Sequence, residues 1–179
     1  RGLALAASLL HFGSAAWAQP APAIHRVGWL SHGSPPAQPQ SVARDFLLAM
    51  KDAGYVEGRN LAIEYRFANG SVERLPELAA ELVRSKVDVI VTVGEPAALS
   101  AKRTTSAIPI VVTGWSLDPV KDGLVTSLAR PEGNVTGLTS MSDELWRKRL
   151  ELLKGLAPRL ARVAVLRNPA NAANAQCLA

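Results

Sequence analysis

From Arg26 onward, short β-rich apolar runs alternate with stretches in which apolar residues recur at helical spacing. The runs RVGWLS (26–31), LAIEYRF (61–67), DVIVTVG (88–94), IPIVVTG (108–114), NVTGLT (134–139) and RVAVLR (162–167) are expected as strands. Helices are expected near 41–53, 74–85, 96–104, 120–129 and 143–157. This alternation predicts βαβ units, and therefore an α/β fold with a parallel β-sheet flanked by helices. VDVIVTVG shows no polar alternation beyond Asp88 and Thr92, as expected of a central strand covered on both faces. Gly54 and Gly133 read as helix stops, while Pro96, Pro119 and Pro158 begin or follow helices.

Two segments stand apart from the alternation. DELWRKRLELLKGLA (143–157) is long, with Leu145, Trp146, Leu150, Leu152, Leu153 and Leu156 forming a broad apolar stripe. After Pro158 the run RVAVLRNPAN opens a fresh βα unit. At the other end, the apolar LALAASLLHFGSAAW is followed by the A-x-A site Ala16-Trp17-Ala18. That pattern predicts a signal peptide over 1–18, a loose PAPA-containing linker over 19–24, and an exported, periplasmic location.

Composition narrows the class without naming a function. A chain of 179 residues, 48% hydrophobic and 20% charged, supports one folded domain or one plus part of another, and argues against disorder. The net charge of +5 comes from basic residues scattered among Glu and Asp along the predicted helices. A solvated surface is therefore expected, with no nucleic-acid partner. Cys177 is the only cysteine, so neither an internal disulfide nor a cysteine metal cluster is available.

Open parallel sheets bind ligands beyond the carboxyl ends of their strands. The loops so placed are Ser31–His32–Gly33–Ser34–Pro35, Gly94–Glu95–Pro96–Ala97 and Gly114–Trp115–Ser116–Leu117–Asp118–Pro119. No G-x-G-x-x-G follows the first strand, and neither a P-loop nor a G-x-S-x-G elbow occurs. No catalytic set, cofactor or metal is expected. Asp118 fits a helix N-cap before Pro119 or a functional acid, and His32 fits a ligand hydrogen bond or an ordinary loop histidine. The hydroxyls of Ser31, Ser34 and Ser116, the aromatic Trp115 and the N–H groups after Pro96 suit a small polar ligand with an apolar part.

GYVEGRN (54–60), IPIV (108–111) and LARPEGNVTG (128–137) together resemble the ABC-transporter substrate-binding protein family, which has the type 1 periplasmic binding protein fold. The resemblance runs from about residue 25 to 172. It implies a Rossmann-like lobe 1 over 25–142, a crossing helix over 143–158 and the start of a truncated lobe 2 over 159–179. It further implies capture of an amino-acid-like solute between two lobes, without catalysis, and delivery to a membrane permease with its ATPase. The membrane would be contacted only through that permease. Ligand-facing positions carried over are Ser31, His32, Gly33, Ser34, Gly94, Glu95, Pro96, Ala97, Trp115, Ser116, Asp118 and Asn168. Glu95 stands where family members commonly carry a small hydroxyl residue, so its carboxylate either caps its helix or faces a ligand cation. A ligand-sensing ectodomain, or an exported enzyme using Glu95, Asp118 or His32, are the alternatives.

Overall fold

The computed structural model describes residues 23–35, 42–116, 118–140 and 142–164. In chain order the elements are β1 (His25–Ser31), α1 (Val42–Asp52), β2 (Leu61–Phe67), α2 (Leu75–Arg84), β3 (Val89–Val93), α3 (Glu95–Thr104), β4 (Ile110–Trp115), β5 (Val135–Thr139) and α4 (Ser142–Leu156). The five strands form one sheet in the order β2-β1-β3-β4-β5, and all four pairings are parallel. The chain leaves β1 for β2 on one side and returns to β3 on the other. The switch point of the sheet therefore lies between β1 and β3.

Alternation along the strands divides the core between the two faces of the sheet. Leu30, Ile90, Ile110 and Val112 pack with Leu75, Leu78, Leu82, Ala97, Ala98 and Ala101 from α2 and α3. Val27, Trp29 and Val91 gather with Phe46, Leu47 and Met50 of α1 on the opposite face. A fully buried leucine such as Leu82 contributes about 2 kcal/mol relative to an exposed one. The alanines of α3 bring its axis close to β3 and β4, and that approach sets where the helix begins over the site. α2 comes close to β1 at Gly28, where a Cβ would lie 3.0 Å from Leu82 Cδ1.

The segment 120–129 is not a helix, contrary to the expectation from its apolar spacing. One turn closes, with the N–H groups of Leu124 and Val125 both donating to Pro119 O at 2.8 and 3.1 Å. Gly123 then adopts φ +70° and ends it. Downstream, Thr126 N donates to Pro131 O and Arg130 N donates to Ser127 Oγ, so local turns take the backbone groups a helix would need. Residues 162–164 of the expected sixth strand are irregular, and its remainder lies outside the described residues, as do 1–22. α4 carries Leu150, Leu152 and Leu156 exposed. Among the described residues, no helix is long and apolar enough to cross a membrane.

Candidate functional site

The loops at the carboxyl ends of the strands are tied together by backbone hydrogen bonds. Ser31 closes β1, is buried, and its Oγ accepts from Gly33 N at 3.2 Å. His32 N donates to Val93 O at 3.3 Å, which joins the loop after β1 to the end of β3. On the other side, the carbonyls of Ser31, His32 and Gly33 accept from Ala68, Gly70 and Asn69. The loop after β2 thus buttresses the first loop, a contribution that sequence reading missed. Its signal was the Asn69-Gly70 pair, whose φ values of +55° and +85° mark a tight turn.

Gly94 links β3 to α3 at φ +91°, a conformation glycine adopts without penalty. A Cβ there would stand 3.6 Å from His32 Cβ, so the two predicted loops face each other across the switch point. Glu95 is the first residue of α3, Pro96 the second, and Gly94 occupies the N-cap position with no side-chain cap. Glu95 does not cap its own helix. Its Oε1 accepts from Ser116 N at 3.0 Å and carries the carboxylate across to the loop after β4. Thr113 Oγ1 donates to Thr92 O at 3.0 Å and reinforces the same β3–β4 junction.

The structure therefore brings Ser31, His32, Gly33, Gly94, Glu95, Pro96 and Ser116 into one cluster of three joined loops, whereas Ala97, expected among them, is fully buried in the core on the helix face that packs against the sheet. Ser34 follows on the exposed rim of the first loop. Trp115 sits differently from the open aromatic surface that was expected. It is 2% exposed within the core, and its indole N–H donates to Asp122 Oδ2 at 3.1 Å. Asp118 turns onto its own backbone, with Oδ1 accepting from Val120 N at 3.0 Å and Lys121 N at 3.3 Å. Partial burial favours the neutral form of this carboxyl, but those two donors and the Lys121 ammonium outweigh it and hold the pKa below its ordinary value. Asn168 lies outside the described residues.

Chemically, the cluster offers hydroxyls, backbone groups and one carboxylate. No hydrogen bond joins Glu95, Asp118 and His32 to one another among the described residues. His32 Nε2 is enclosed without a partner, as are Thr92 Oγ1 and Ser100 Oγ. Among the described residues, no group of three or more His, Cys, Asp or Glu side chains could hold a metal ion.

A doubly wound sheet with joined loops of this composition at its switch point defines a ligand-binding α/β lobe of periplasmic binding protein type. A model of the ABC transporter substrate binding protein family matches residues 36–178, and the chain belongs to that family. It is 37% identical over 126 residues to a tyrosine-binding protein of Clostridioides difficile strain R20291, covering 70% of this chain and 35% of the relative. A conserved domain protein from Vibrio cholerae O1 biovar El Tor superposes with a TM-score of 0.73 at 33% identity, over 86% of this chain and 51% of the other. A substrate-binding protein with adhesive properties from Clostridium difficile, in its ligand-free, open structure, gives a TM-score of 0.61 at 30% identity, over 75% and 44%. The chain thus spans between about a third and a half of the length of these relatives.

Proposed function

We propose that this chain supplies the first lobe of an exported solute-binding protein that captures a small, amino-acid-like ligand and hands it to an ABC permease. In this reading residues 25–142 form one wall of the cleft, 143–158 cross to the second lobe, and 159 onward begin it. Residues 1–18 act as the signal peptide. The single observation that carries the reading is the joining of the loops after β1, β3 and β4 at the switch point of a lobe belonging to this family. The tyrosine-binding relative supports an amino acid as the ligand class. The ligand contacts would come from Ser31–Ser34 and Gly94–Pro96, with Ser116 at the rim.

Thermal-shift screening of the full-length protein tests this. A ligand that binds only the folded state stabilises by RT ln(1 + [L]/Kd), about 2.7 kcal/mol at a hundredfold excess over Kd. A clear rise in melting temperature is expected with at least one amino acid or closely related solute. No rise with any of them, or with purines, would remove the solute-binding reading.

A further inference from the structure

We infer that Glu95 sets the charge preference of this cleft, making the β3–α3 turn a place for a ligand's cation or other hydrogen-bond donors and not for its anion. The inference rests on the switch-point cleft being the ligand site. A helix start ordinarily favours an anion, because its first N–H groups have no partner within the helix. Here the first turn of α3 offers fewer donors than usual, since Ala98 N–H donates to Gly94 O at 3.2 Å, and the N–H groups of the facing loops are already taken. Pro96, second in α3, has no N–H at all. Ser116 N–H is taken by Glu95 Oε1 at 3.0 Å, Gly33 N–H by Ser31 Oγ at 3.2 Å, and His32 N–H by Val93 O at 3.3 Å.

Acceptors are in the opposite condition. A carboxylate offers about four lone-pair positions on two oxygens. Glu95 uses one oxygen on Ser116, and its Oε2 has no partner among the described residues. Glu95 is partly exposed at the mouth between the loops, and the bond to Ser116 fixes its direction before a ligand arrives. A ligand ammonium placed there makes a charge-assisted hydrogen bond, whereas a ligand carboxylate meets a like charge. The ligand's own carboxylate, where it has one, is then left for another part of the cleft.

Calorimetric titration of the full-length protein with three matched probes tests the assignment. L-tyrosine carries both charges, tyramine lacks the carboxylate, and 3-(4-hydroxyphenyl)propionate lacks the amine. Glu95→Gln keeps an oxygen for Ser116 N–H and removes the charge. In the parent protein, loss of the probe's amine should weaken binding by about tenfold or more, the size of a charge-assisted contact. In Glu95→Gln that penalty should shrink by about tenfold, while the effect of removing the probe's carboxylate stays unchanged; Glu95→Asp, which keeps the charge, should retain the amine penalty. Equal amine penalties in the parent and Glu95→Gln would overturn the inference and leave the cleft reading standing. If no probe binds either protein, the aromatic amino-acid reading of the cleft falls, and the inference with it.

Discussion

At the start of α3 a carboxylate reaches across to the next loop instead of capping its own helix, and that choice was not legible in GEPA alone. The local sequence offered two roles for Glu95, cap or ligand contact, because both depend only on the helix that follows. The third role needs Ser116 N–H within 3.0 Å, and this proximity arises from the pairing of β3 with β4. Trp115 failed for a similar reason. Its strand-end position suggested an open aromatic, yet the polypeptide 119–124 folds back over it and Asp122 accepts from its indole N–H. Asp118, by contrast, was readable, since an Asp before Pro at a turn has a local use for its oxygens. Its lowered pKa makes a prediction with a definite sign. Stability from the ionised side chain is complete above the unfolded pKa of about 3.9 and is lost as pH falls through the lower folded value. Asp118→Asn keeps an acceptor but cannot titrate, so melting temperature followed against pH should fall less steeply in that acid range than for the parent protein. An unchanged acid limb would remove Asp118 from the pH dependence.

Elements were more legible than side-chain targets, because strand and helix periods repeat over several residues while a contact depends on one. The apolar runs read as strands coincide with β1 to β5 to within two residues at each end, α1 and α2 fall inside the segments expected for them, and α3 begins one residue before its own. The segment 120–129, expected as a helix, carries Val120, Leu124 and Leu128 at helical spacing but also Gly123 and the hydroxyl residues Thr126 and Ser127. Those residues offer the backbone competing turns, and the turns won. Gly137 is an element-level constraint that the strand pattern concealed. It sits in β5 at φ +154°, and a Cβ there would come within 2.3 Å of Val112 O. Gly137→Ala should therefore cost about 2 kcal/mol or more in urea unfolding, with faster amide exchange in β5 than in β1 to β3. A variant as stable as the parent would show that β5 can move away from β4 without penalty.

At the scale of the whole molecule, the described residues form a lobe with a five-stranded parallel sheet and a helix, α4, that leaves leucines exposed. α2 and α3 bury their apolar residues, whereas α4 leaves Leu150, Leu152 and Leu156 exposed. Matching relatives extend well beyond this chain, which covers 51% of the Vibrio cholerae structure and 35% of the tyrosine-binding protein. The end of the sheet at which the predicted loops gather was legible, because the alternation of strands and helices predicts parallel strands. Its electrostatic character was not, since that depends on which N–H groups are already taken. The central claim is that solute is held against the joined loops after β1 and β3. The most direct measurement is a crystal structure of the full-length protein with the amino-acid-like solute that stabilises it most. The expected result is that solute in contact with residues 31–34 and 94–96, with its cationic group beside Glu95. A solute seated away from both loops would contradict it.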